Sequence, residues 1–228
     1  MFNRRENWIG ELPAQVQAEL HACAEERAYR SGSEISRAGE FSSGVHQILD
    51  GYAKSTGLGP SGETAIIVVY GPGNCWGESP IVAERRNHHT TIAMTDVRVR
   101  HIPRADFLRA FHAHPIVSVS LCRKFSKSMS RLIRHSEAQS ADRMSRRVAS
   151  CFYSFVPDRS RGPDTMACAL DVPLTQGDIA SFLGVTRQSI QPAVAALKSA
   201  GILEKRGRVW HVLDIARLRA RATMPGGG

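Results

Sequence analysis

The chain has 228 residues, 42% of them hydrophobic, enough to build a core in one large domain or two small ones. No apolar run approaches the roughly 18 residues of a membrane span, and the opening stretch MFNRRENWIGELPAQVQAEL lacks the apolar core of a secretory signal, so no membrane is expected as a partner. The net charge is +9, carried unevenly: residues 1–114 hold 12 Lys/Arg against 13 Asp/Glu, residues 115–142 hold 5 against 2, and residues 143–228 hold 13 against 6. A basic C-terminal part suits a polyanion, of which nucleic acid is the commonest in a cytoplasm, although a merely solvated basic surface has the same composition. The five cysteines, Cys23, Cys75, Cys122, Cys151 and Cys168, lie far apart and form no C-x-x-C pair. They read as reduced thiols of a cytoplasmic protein rather than a disulfide framework or zinc ribbon.

In chain order, residues 12–29 read as an initial helix. From about 28 to 110 the chain is short strands broken by turns: HQILDGYAKSTGL alternates around Gly51, SGETAIIVVYGPGNCWG has Gly or Pro at both ends, and VRVRHI alternates strictly. Turn signals at this spacing favour a small β-sandwich or roll over a parallel α/β sheet. IPRADFLRAFHAHP is a short helix that ends before Pro115. A longer helix, 116–138, follows. In it Leu121, Phe125, Ser128 and Leu132 keep a 4-3-4 spacing with Met129 beside them, and Arg123, Lys124, Lys127, Arg131 and Arg134 take the opposite face. This pattern predicts a two-stranded seam, with Leu121, Phe125, Ser128, Met129 and Leu132 at a homodimer interface. The alternative is a helix packed on its own β-domain.

DRMSRRVASCFYSFV is a further helix, PDRSRGPD a loop, and MACALDVPL holds a strand or two. Thr175 and Asp178 resemble a capping box that opens a helix with Ile179, Ala180 and Leu183 on its apolar face. Gly184 makes the turn, and Thr186 caps a second helix to about Ser199 whose apolar stripe is Ile190, Val194 and Leu197. ILEKRGRVWHVL reads as a hairpin around Arg206, Gly207 and Arg208. The tail 222–228 is expected to be disordered. Two helices, a Gly-containing turn and a hairpin make a winged helix-turn-helix. Such a unit lays its second helix in the major groove of double-stranded DNA, with the residues near its N-terminus at base edges. Here those residues are Arg187, Gln188, Ser189 and Gln191, while Thr175, Thr186, Arg206 and Arg208 are placed for phosphates. The alternative is a helical hairpin that only packs.

LTQGDIASFLGVTRQSIQPAVAALKSAGIL, together with ILDGYAK…GPGNCWGES, resembles the Crp/Fnr family of bacterial transcription regulators over nearly the whole chain. The resemblance implies an α+β architecture: a β-roll sensory domain, a cyclic-nucleotide-binding-like jelly roll, at 1–114, a dimerisation helix and hinge at 115–142, and a C-terminal winged helix-turn-helix at 143–221. It implies a homodimer on a pseudo-palindromic operator, RNA polymerase as a further partner, and no enzymatic activity; no G-x-S-x-G, P-loop, Rossmann or HExxH motif occurs. The competing reading is a ligand-binding or interaction module without gene-regulatory action.

In family members that bind cyclic nucleotides, a Gly-Glu pair holds the ribose and an Arg-Ser pair the phosphate. Gly77 and Glu78, followed by Ser79, match the first. Asn87 and His88 stand where the second is expected, with Arg86 the nearest replacement, and Leu132 and Ile133 stand where the base is contacted. These departures argue against cyclic AMP and leave the effector unidentified: a different small molecule, or none. No metal centre is expected: only Cys23 lies near the N-terminus, and His88 and His89, as strand neighbours, would face opposite sides. Family members usually carry an arginine at the position of Pro192, so the operator is expected to depart from the commonest half-site.

Overall fold

The computed structural model describes residues 7–58, 64–141, 144–162 and 166–223, in two compact units, residues 1–131 and 132–228. The first unit begins with helix α1 (Ala14–Ala22) and strands β1 (Glu25–Tyr29), β2 (Glu34–Ser36), β3 (Gly44–Asp50), β4 (Ala53–Leu58), β5 (Thr64–Tyr70) and β6 (Cys75–Trp76). Helix α2 (Glu78–Val82), strands β7 (Thr90–Ala93) and β8 (Val97–Pro103), helix α3 (Arg104–Ala113) and the long helix α4 (Pro115–Ala141) follow. Two antiparallel four-stranded sheets, ordered β1-β8-β3-β6 and β2-β7-β4-β5, form the roll. Ile48, Ala53, Trp76, Ala93, Val97 and Val99 make one core cluster. A second cluster joins Trp8, Ile9, Leu20, Val45, Ile102 and Phe107 to Val117 and Leu121 of α4.

Three expectations change here. The initial helix stops at Ala22, and Glu25–Tyr29 is a strand with the register Glu25↔His101 to Tyr29↔Val97. The ladder offered by β8 outweighs local helix propensity, a common tertiary override. On α4, Leu121 is buried in its own roll with Phe125 packed against the same cluster, and Lys124 is 8% exposed rather than on the outer face. Among the described residues, the large exposed apolar side chains of this helix are instead Val119, Met129 and Ile133. Ser128 is half-buried, and the side chain of Leu132 lies outside the described residues. The hinge end of the 115–142 segment also falls partly outside them.

The second unit contains α5 (Met144–Ser154), β9 (Cys168–Ala169), α6 (Gln176–Leu183), α7 (Arg187–Ser199), β10 (Leu203–Arg206), β11 (Val209–Val212) and α8 (Ile215–Thr223). Its sheet is ordered β10-β11-β9. Phe152 of α5 meets Trp210 edge-on at 4.9 Å, and the Trp210 indole N–H donates to the Leu174 carbonyl at 2.8 Å. Helix α8 was not foreseen. Ile215 and Leu218 are buried, the Arg217 N–H donates to Asp214 Oδ1 at 2.8 Å, and Ser150 Oγ donates to the Ala222 carbonyl at 3.1 Å. Ala222 and Thr223 are therefore helical rather than tail; residues 224–228 lie outside the described set.

Candidate functional site

The α6–turn–α7 surface is built from strong local signals. Thr175 Oγ1 accepts from the Asp178 N–H at 3.0 Å, and Asp178 Oδ2 accepts from the Thr175 N–H at 3.0 Å, a reciprocal capping box. Gly184 closes α6 in the left-handed conformation at φ 65. The Arg147 guanidinium from α5 donates to the Leu183 carbonyl at 2.5 Å and so satisfies an end group of α6. Thr186 Oγ1 accepts from the Ser189 N–H at 3.3 Å and shares a hydrogen bond with Ser189 Oγ at 2.8 Å. The hydroxyls of Thr175, Thr186 and Ser189 thus hold helix ends as well as lying at the surface.

Ile190, Ala193, Val194 and Leu197 anchor α7 in the core, and Arg187, Gln188, Gln191 and Pro192 are exposed on its other side. Among the described residues, no partner is recorded for the side chains of Arg187, Gln188 or Gln191. On the wing, Arg206 and Arg208 are both exposed, and Arg206 pairs with Glu204 at 2.7 Å. Lys205, which the sequence did not single out, lies 5.3 Å from the Trp210 ring centre.

A second candidate is a cavity of about 310 Å³ inside the first unit. Gly77, Glu78, Ser79, Asn87 and His88 line it, as do Ser36, Ser55, Tyr70, Trp76, His89, Thr91, Lys124, Phe125 and Ser128. Arg86 does not: its guanidinium donates to the Gly39 carbonyl at 2.8 Å and stacks on Phe41 at 4.4 Å. Ile133 is exposed and outside the lining. His88 and His89 sit in a bend just before β7, so strand alternation does not separate them, and both face the cavity. Among the described residues no group of three or more His, Cys, Asp or Glu could hold a metal.

Gly77 has φ 99, and a Cβ there would meet the Gly44 carbonyl oxygen at 2.3 Å, so only glycine delivers Glu78 to this position. Glu78 is 2% exposed, and Lys124 Nζ donates to its Oε1 and to the Cys75 carbonyl at 2.8 Å. Burial pulls the Lys124 ammonium down to about 8. Glu78 Oε2 is buried with no recorded partner. In the wall, Trp76 stacks between Tyr70 and His46, each at 5.0 Å, and behind it His46 Nε2 lies 3.2 Å from His101 Nδ1. Burial, with the His101 charge second, drives His46 down to about 3, so its imidazole is neutral. Lys124 was missed because a lysine in a basic helix reads as solvated, and the remaining lining residues carry no sequence pattern.

Residues 26–114 match the cyclic nucleotide-binding domain family, and residues 146–221 match the Crp-like helix-turn-helix domain family. The CRP-like cAMP-activated global transcriptional regulator of Mycobacterium tuberculosis is 24% identical over 192 residues, covering 84% of this chain and 85% of that protein. Lysophospholipase nte1 of Aspergillus niger is 25% identical over 103 residues, and the match spans only 7% of that protein's length. Among solved structures, FixK2 from Bradyrhizobium japonicum superposes with a TM-score of 0.75 at 22% identity, covering 89% of this chain and 99% of that one. The c-di-GMP responsive global regulator CLP of Xanthomonas campestris gives 0.71 at 16% identity, with 89% and 99% covered. At these identities the structural likeness is one of fold. With both domains matched in this order, the chain belongs to the Crp/Fnr family of transcription regulators.

Proposed function

We propose that the protein is a homodimeric, sequence-specific DNA-binding regulator working in the cytoplasm. Each subunit inserts α7 into a major groove of a pseudo-palindromic operator, with half-sites about one helical turn, roughly 34–36 Å, apart. The observation that carries this reading is the exposed edge of α7, where Arg187, Gln188 and Gln191 stand without a recorded partner on a helix locked by its opposite face. Arg187 is suited to the two acceptors of a guanine, and Gln188 or Gln191 to adenine. Arg208 and the helix N-termini supply phosphate contacts. RNA polymerase is the further partner that family membership suggests.

A second copy is proposed to seat on α4 along Val119, Cys122, Ser126, Met129 and Ile133. These positions are exposed and keep a 3-4-3-4 spacing, the repeat of a two-stranded seam. This seam replaces the one drawn through Leu121 and Phe125. Mild oxidation should then join two chains through Cys122, and Cys122→Ser should abolish the joined species; a cross-link unaffected by that change would place the seam elsewhere.

The cavity is proposed to hold the effector. Among the described residues its one lysine is paired with Glu78 and no arginine lines it, so they offer little to offset the desolvation of a phosphate. An effector other than a cyclic nucleotide fits these groups better. The reading is tested by gel shift with the full chain. The protein should bind one selected duplex at least 1,000-fold or so more tightly than random duplex, with affinity falling steeply as salt rises. Equal binding to every duplex, or none, would leave only the interaction-module reading.

A further inference from the structure

Helix α7 carries more information than its first turn. At 100° per residue, Gln188, Pro192, Ala195 and Ser199 fall on one line (i, i+4, i+7, i+11), and all four are exposed. The opposite line, Ile190, Ala193, Val194 and Leu197, is buried, so the first line points directly away from the core. Arg187 and Gln191 flank it on one side. The outward line is therefore polar at its start and apolar in its middle: Pro192 and Ala195 together present neither a hydrogen-bond donor nor an acceptor.

A surface without polar groups discriminates among bases. In the major groove every base shows an acceptor or a donor, and thymine alone adds a C5 methyl group beside its O4 acceptor. Pressing Pro192 and Ala195 against a guanine, adenine or cytosine edge would strip water from a polar atom and return no hydrogen bond. Pressing them against a thymine methyl buries apolar surface on both sides. The pyrrolidine ring is held rigid by its own backbone, so the contact loses little side-chain entropy.

We propose that Pro192 and Ala195 form an apolar clamp that selects thymine through its methyl group, next to the bases met by Arg187 and Gln191. The proposal rests on the reading of α7 as the major-groove helix and assigns that helix a second specificity element. One buried methyl corresponds to about a fourfold change in affinity per half-site, or about 15-fold for a symmetric pair.

The test starts from an operator selected by the full-length protein from random duplexes. Each thymine of the half-site is then replaced, in both halves at once, by deoxyuridine, which differs only by the methyl. At one or two adjacent positions the loss should be about 15-fold, and 5-methylcytosine placed there should bind better than cytosine. Pro192→Gln, a better helix former with an amide that suits adenine, should shift the selected base at that position towards adenine and remove the deoxyuridine effect. A selected operator insensitive to deoxyuridine at every thymine, or one whose selected bases are unchanged by Pro192→Gln, overturns the clamp while leaving DNA binding intact. If no duplex is selected at all, the DNA-binding reading fails and the clamp fails with it.

Discussion

The cavity of the first unit and the outer edge of α7 treat polar side chains in opposite ways. In the cavity, Glu78 and Lys124 are buried and joined to each other, and Ser55 and Thr91 share a hydrogen bond at 2.8 Å. On α7, the groups with recorded partners are the caps Thr186 and Ser189, and the longer side chains Arg187, Gln188 and Gln191 project past them. An enclosed polar group without a partner is costly, and the fold pairs Glu78 Oε1, Lys124, Ser55 and Thr91 internally, leaving Glu78 Oε2 and the Trp76 indole N–H as exceptions among the described residues. A solvated one costs little to leave open, and several of them gathered at one helix start make a surface ready for an external ligand. The roll is arranged for its own integrity around a small space, and the helix-turn-helix for contact.

The contrast is broken most forcefully at Lys124. Lys124→Ala leaves the Glu78 carboxyl buried alone and should destabilise the protein by about 3–5 kcal/mol, whereas Lys124→Met combined with Glu78→Gln should cost much less. Denaturant unfolding reads both; equal losses would mean that the pair contributes no more than its packing. Acid should act on the same unit. His46 titrates at about 3 when folded against about 6.5 when unfolded, so the unfolded chain takes the proton first. Its contribution is complete above about pH 6.5 and declines as pH falls toward 3, by about 3 kcal/mol at pH 4.5. His101, also lowered by burial, adds to the same trend. His46→Phe should flatten the pH dependence of unfolding between 6.5 and 4.5, and a slope unchanged by that variant would assign the acid sensitivity to other groups. The smallest effect belongs to the exposed surface: Thr175→Ala removes the α6 cap and should cost about 1 kcal/mol, read as a modest fall in the unfolding midpoint.

The helix-turn-helix was legible because its signals are local. Thr175 with Asp178, Gly184, Thr186 and the buried stripe Ile190, Val194 and Leu197 all lie within a few residues of the partners they act on. The cavity was legible only at Gly77, Glu78, Ser79, Asn87 and His88, because its wall is gathered by sheet pairing from positions between Ser36 and Ser128. Periodicity alone drew the α4 seam through Leu121 and Phe125, since an apolar stripe does not say whether it meets the same chain or another. Helix α8 was missed because IARLRARAT carries three arginines among its nine residues and only two large apolar ones, and those anchors, Ile215 and Leu218, become apolar contacts only once α5 lies beside them.

Guanine-methylation interference on the selected operator, with the full-length protein and with Arg187→Ala, tests the proposed placement of two α7 helices on one duplex most directly. The account predicts two blocks of interference centred about 10 base pairs apart, one per half-site, and a loss of roughly 10- to 100-fold in affinity per half-site for Arg187→Ala. A single block, or a pattern and affinity untouched by Arg187→Ala, would contradict it.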